Sequence, residues 1–524
     1  MIILLISLQC TSVHTYNAHL NDLIPTEKLQ ADVDWTYKKL QKLHPRLYWY
    51  ISKEQLDIKF DSLKKSIVTP LNSFEFYKKI SPVVANVRQG HLFIAPPMKM
   101  MTKKEVKAFV KKGTGPLSQF DFESFDSKLY IVKNKSYQKD LKVGSEVVSI
   151  NGKNPSDGMM EYNKWFASDG FNTTFKKQYL GKKFPVFYSF ENGVKDSLTY
   201  VLKSNDTLKT ICIKRKVVDS IASSKDKNKA TPPLAKAKLK ELKNRKEKFG
   251  YDENTKYYNR SLTFREKDSA VAVLKIRGFT QGTYQEFYEE SFEKIAKYKS
   301  KVLILDIRDN GGGRLNEIEN LYSYLADSTY IFMDKSEVTS KTSMLHSDFL
   351  KGGGIVSKTA KLFFSPIIYG YYYFSTQKAT DGKYYISILT KPKTCSPNAF
   401  KGKIYVLING GSFSASSIIS SNLKKIKRVT FIGEETGGAF NGTVAGSLPV
   451  YKMPHSKINV RIGLMTCIPF NKTTVEGRGI MPDIPISPKL SDRINNFDPE
   501  MNWAIEDFKK DVQVEQLIQN QRAK

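Results

Sequence analysis

The stretch KIYVLINGGSFSASSIISSNL, Lys403 to Leu423, joins an apolar run to a serine-crowded segment through a turn with two glycines. A short apolar run bounded by Asn409–Gly411 reads as a strand buried on both faces. The residues after the turn have the length and pattern of a helix. The same alternation holds on either side. KVLILDIRDNGGG (Lys301–Gly313) is a buried strand entering a glycine loop, and RLNEIENLYSYLAD (Arg314–Asp327) follows as a helix. DSAVAVLKIRGF (Asp268–Phe279) precedes them, and RVTFIGEETGG (Arg428–Gly438) adds a further strand and turn. Strands alternating with helices predict an α/β fold with a parallel-rich sheet.

The serines pose a chemical question. A helix that starts near Ser414 points unpaired backbone N–H groups at that residue, and its N-terminus favours a developing oxyanion. Ser412 and Ser414 are equally placed to act as helix caps. The loop Gly311–Gly313 offers backbone amides to an anion without side-chain obstruction. It lacks both the Gly-Lys-Ser/Thr ending of a phosphate loop and dinucleotide-binding spacing. An oxyanion site shared with the amide after Ser414 fits both elements.

A chain of 524 residues exceeds one ordinary domain. With 40% hydrophobic and 12% aromatic residues it has material for packed cores. The net charge of +31 either coats a soluble surface with lysine or draws the chain to anionic surfaces, envelope lipid, acidic polysaccharide or nucleic acid, without selecting among them; no motif points to specific nucleic-acid binding. The start, MIILLISLQCTSVHTYN, has an apolar run of signal-peptide length without a basic n-region. Residues 1–19 are therefore expected to be a signal peptide, or a lipoprotein signal with Cys10 as the lipidated residue. Cys212, Cys395 and Cys467 show neither metal-site nor disulfide-framework spacing.

Residues from about Gln30 to Val87 carry helical periodicity, with Asn72 or Ser73 as one N-cap. From Leu117 to Asn163 the pattern changes to short strands. There LKVGSEVVSINGK (Leu141–Lys153) resembles a PDZ domain, a family whose groove takes extended peptides. SSKDKNKATPP reads as exposed loop, and LAKAKLKELKNRKEKFG as a charged helix ended by Gly250. The tyrosine-rich segment FFSPIIYGYYYFSTQKATDGKYYISIL (Phe363–Leu389) is expected near the active-site rim.

LILDIRDNGGG, VLINGGSFSASSII, VTFIGEETGG and GRGIMPDIPI, in that order, resemble the tail-specific (C-terminal-processing) serine proteases, over about Ala270 to Ile486. The resemblance implies a crotonase-like α/β protease core over 266–490, with the Tyr-rich insertion near 350–395. It implies an N-terminal helical domain over 20–114 and a PDZ-like module over 115–165; the residues themselves read as a basic insertion or linker over 166–265 and a helical tail over 491–524.

Ser414 matches the family's nucleophile, the first serine of Ser-Ala-Ser-Glu, and Ser417 stands where the glutamate belongs. Bacterial processing enzymes take a lysine base from a Gly-Lys-Gly-Thr loop; GGAFNGT (Gly437–Thr443) holds no lysine. The tricorn-like branch uses a histidine base instead, and His91 in NVRQGHLFIAP fits it. Glu476 in VEGRGIMPDI matches that branch's glutamate, which would make it a catalytic partner of the base; it reads equally as a loop carboxylate paired with Arg478. Gly312, Gly313 and Ala415 are the expected oxyanion-hole amides. His91 is expected to titrate near its ordinary value. Lys424 and His455 are the rival bases.

The resemblance implies a serine endopeptidase of the cell envelope, periplasmic or outer-membrane-associated. It would cleave protein or peptide substrates through an acyl-enzyme, without metal or cofactor. Two alternatives follow from the lost lysine and glutamate and from the charge: an inactive ligand-binding relative, and a polyanion-binding envelope protein.

Overall fold

The computed structural model describes residues 12–217, 233–253, 255–266, 269–347 and 355–522. Cys10 and all but the last residue of SSKDKNKATPP lie outside them.

The central sheet has six strands in the order Ile484–Pro485, Val429–Gly433, Lys403–Ile408, Val302–Asp306, Val271–Ile276 and Arg260–Arg265. Every pairing is parallel except the last. Alternate residues point to opposite faces. Leu274, Leu303, Leu305, Ile404 and Val406 enter the main core. Val273, Val302, Ile304, Tyr405 and Leu407 pack instead against Met501, Ala504, Ile505 and Phe508 of the C-terminal helix Pro499–Arg522. With both faces covered, no strand needs a polar side, which explains the continuous apolar runs. Arg308, just past its strand, donates to Asp306 and to both carboxylate oxygens of Asp498, tying that helix to the sheet. The segment expected as a tail is thus one wall of the core.

Helices Thr26–Leu43, Lys53–Lys65 and Ser73–Ala85 lie in the stretch read as helical. Asn72 caps the third: its side chain accepts from the Phe74 and Glu75 amides, and Glu75 accepts from the Asn72 amide. Leu29, Leu40, Phe60, Phe76 and Ile80 belong to the same core as the sheet. The chain then turns at Gly90–His91 into strand Phe93–Ala95, which pairs antiparallel with Asn459–Arg461.

A second, five-stranded sheet runs Phe120–Phe125, Lys128–Asn134, Glu146–Ile150, Ser197–Ser204, Thr207–Lys214, antiparallel throughout. Asn151 and Gly152 both have positive φ, the conformation that the INGK turn requires. A boundary at residue 165 cuts through this sheet. Its last two strands come after the helices Pro155–Tyr162 and Thr174–Asn192, inside the segment assigned to the insertion. The tyrosine-rich segment forms helix Ile355–Ser375 and a hairpin, Thr376–Lys378 with Tyr384–Ile386.

Candidate active site

Strand Lys403–Ile408 ends at the Asn409–Gly411 turn, and helix Ala415–Leu423 begins four residues after Gly411, with Ser414 as its N-cap residue. Ser414 has φ 57° and ψ −119°, a conformation that non-glycine residues rarely adopt. Backbone strain of this kind costs on the order of 1–3 kcal/mol and persists only where the surroundings enforce it. The Ser414 hydroxyl makes no cap hydrogen bond. It lies 2.9 Å from His91 Nε2 and donates to it in the tautomer that leaves Nε2 unprotonated.

The neighbouring serines behave differently. Ser412 donates to the Ile307 carbonyl, Ser416 to that of Asn310, Ser417 to that of Ser412 and Ser420 to that of Ser416. Each is buried. The serine crowding therefore has two causes: buried hydroxyls that satisfy nearby carbonyls, and Ser414, whose hydroxyl faces a base.

The glycine loop closes over Ser414. At Gly312, with φ 102°, an added Cβ would stand 2.7 Å from Ser414 Cβ and 2.9 Å from Ala415 N, so no side chain fits. The Gly312 amide donates to Asn310 Oδ1 at 2.9 Å, which removes it from the expected oxyanion set. Among the described residues, the Gly313 and Ala415 amides donate to no protein group. Gly438, in the lysine-free segment Gly437–Thr443, packs against the same turn: a Cβ there would meet Ser417 Oγ at 2.5 Å and Ser414 N at 3.0 Å.

His91 is held from three directions. The carbonyl of His91 accepts from Arg461 Nε at 3.1 Å. Its ring leans on Phe413 with centroids 5.1 Å apart. Asp169 accepts from the amide of the preceding Gly90 at 2.8 Å. Burial, and secondarily the Arg461 charge, lower the His91 pKa to about 3. The expectation of an ordinary histidine pKa is corrected: the ring is neutral at neutral pH.

Glu476 stands elsewhere. One oxygen accepts from Trp49 Nε1 at 3.2 Å and the other from Asn441 Nδ2 at 2.9 Å, so its hydrogen bonds do not run to His91. Lys424 is engaged by Asp483 and the Met481 carbonyl, and the His455 amide binds Asp32. Among the described residues there is no cluster of three or more His, Cys, Asp or Glu placed to hold a metal.

Beside His91 opens a cavity of about 580 Å³. Phe93, Phe166, Phe175, Tyr179 and Phe413 give it an aromatic side, and Arg461, Lys182 and Lys183 a cationic one. Gln178, Tyr179 and Lys182 come from helix Thr174–Asn192, within the stretch read as a basic insertion. None of the described residues of the tyrosine-rich segment lines the cavity, contrary to its expected place at the rim. Sequence reasoning also missed Asp169, Arg461 and Gly90. No motif marks them, because their roles depend on contacts between segments far apart in the chain.

Residues 270–486 match Peptidase family S41. The chain is similar to a carboxy-terminal-processing protease of Bartonella bacilliformis, 25% identical over 233 residues, which span 44% of this chain and 41% of that relative. Its fold is similar to that of mature CPAF, with a TM-score of 0.57 at 14% identity, over 90% of this chain and 94% of that one. Mature CPAF complexed with lactacystin gives a TM-score of 0.58 at 14% identity, over 94% and 99% of the two chains. At 14% identity these structures speak for the fold alone. The family match and the Bartonella relative make residues 270–486 similar to the tail-specific proteases, and the chain spans less than half the length of that relative; the solved structures share the mixed α/β architecture.

Proposed function

We propose that this protein is a serine endopeptidase that cleaves peptide bonds through an acyl-enzyme, with His91 rather than a lysine as its base. The observation that carries the proposal is the 2.9 Å approach of His91 Nε2 to a hydroxyl held in a strained turn at a helix N-terminus. Neutral His91 takes the Ser414 proton as Oγ attacks the scissile carbonyl. The Gly313 and Ala415 amides stabilise the oxyanion, and the helix N-terminus adds its partial charge. Imidazolium then protonates the leaving amine, and water enters by the same base to release the acid and free Ser414. Asp169 and Arg461 act as positioning residues through the Gly90–His91 backbone. The aromatic wall formed by Phe175, Tyr179 and Phe413 suits an apolar side chain next to the scissile bond.

The proposal extends to the two ends of the reading. The five-stranded sheet would serve as a PDZ-like module that takes an extended peptide. The apolar N-terminal run would direct the enzyme to the cell envelope, which fractionation tests directly. The central test is labelling with a fluorophosphonate probe. The parent chain is expected to take one label at Ser414 and to hydrolyse peptides, and Ser414→Ala to do neither. An unlabelled, inactive parent, or equal labelling of the variant, overturns the assignment.

A further inference from the structure

The helix Ile355–Ser375 turns an apolar face outward. From Leu362 to Ser375 the sequence has no charged residue. Phe363, Ile367, Tyr371 and Phe374 follow at three- and four-residue spacing, which sets them on one face. They are 76%, 67%, 60% and 77% exposed, and Leu362 beside them is 65% exposed. The opposite side anchors the helix: Ser365 is buried, Tyr372 packs on the main core, and Thr376 donates to the Tyr372 carbonyl. An apolar patch of this extent on a chain otherwise coated with lysine marks an interaction surface.

The surroundings of the patch indicate what covers it. Lys341 sits over the Tyr373 ring at 4.3 Å, and Lys361 and Lys378 flank the charge-free stretch. Asp381, in the hairpin turn, accepts from the Tyr385 hydroxyl, and Glu337 nearby pairs with Lys383. A second copy of the chain would bring two bodies of charge +31 together at this face. An anionic bilayer attracts the same charge and takes in the aromatic side chains at its headgroup boundary. Among the described residues no helix is long and apolar enough to cross a membrane, so the contact is one of lying on the surface. We infer that the outward face of Ile355–Ser375 docks on anionic lipid, with Phe363 and Phe374 inserted at the headgroup level. This inference is independent of the peptidase proposal.

The test is flotation of the full chain with vesicles of phosphatidylcholine alone or with about 30% phosphatidylserine. The parent is expected to float with the anionic vesicles, less so as salt rises. The double variant Phe363→Ser/Phe374→Ser keeps every charge and alters only exposed side chains. It is expected to partition at least about tenfold more weakly, with an unchanged circular dichroism spectrum and melting point. Equal partitioning of parent and double variant means that charge alone binds and overturns the inference. So does a parent that ignores vesicles, including one that dimerises in sedimentation and is made monomeric by the double variant.

Discussion

Asp169 pins the backbone ahead of His91: its Oδ1 accepts the Gly90 amide at 2.8 Å and the Thr443 hydroxyl at 3.1 Å. The carboxylate has no exposed surface, and burial raises its pKa to about 6. A carboxyl whose folded pKa exceeds its unfolded value stabilises the fold when protonated. That contribution is complete below about pH 4 and is lost as pH rises through about 6. Asp169→Asn lacks the titration. The stability of this variant relative to the parent is expected to improve by about 2 kcal/mol between about pH 4 and pH 7. Denaturant unfolding of both chains across that range measures it, and a constant difference rejects it.

Ser414 carries both strain and the proposed chemistry. Ser414→Ala is expected to lose about a million-fold in turnover while remaining folded. Ser414→Gly should be equally inactive but about 1 kcal/mol more stable than the alanine variant, because glycine accepts the positive φ. Peptide turnover and thermal melts of the two variants decide both points.

The lowered His91 pKa sets the acid side of the activity profile. A base is lost as pH falls through its folded pKa, so the acid limb of kcat/KM is expected below about pH 5, not near 6.5. Arg461→Met removes the nearby positive charge and should move that limb to higher pH. A limb near 6.5 in the parent, or one indifferent to Arg461, contradicts this account of the base.

Gly90 is confined by Phe413. A Cβ at position 90 would stand 2.5 Å from Phe413 Cζ, and that ring stacks on Phe175 at 4.7 Å, so it has no free direction of retreat. Gly90→Ala is expected to lower kcat about a hundredfold by displacing the His91 turn. Adding Phe413→Leu, which deletes Cζ, should restore a large part. Failure of the second change to rescue would mean that the turn is not set by this contact.

How much of this was legible beforehand depended on distance along the chain. The core strands were readable because both faces are covered, so their runs are uninterrupted. Ser414 was readable because strand, glycine turn and helix are contiguous, and His91 because a family resemblance supplied the link that the chain does not. The two last strands of the five-stranded sheet were hidden behind two helices. Asp169 and Arg461 carry no local signature; each gains its place only when its segment meets residues 90 and 91. The partners of Glu476 were hidden for the same reason, as Trp49 lies 427 residues away. The depressed His91 pKa could not be read at all, since it arises from side chains that converge only in three dimensions.

The pairing of Phe93–Ala95 with Asn459–Arg461 bears on the order of events during synthesis. The strand that follows His91 finds its neighbour among residues made after Ser414. A ribosome that has just finished the nucleophile helix has therefore not yet produced the strand and the guanidinium that hold the base. On this geometry the arrangement proposed for Ser414 and His91 is completed late in translation, when the chain has passed Arg461 and those residues have cleared the exit tunnel.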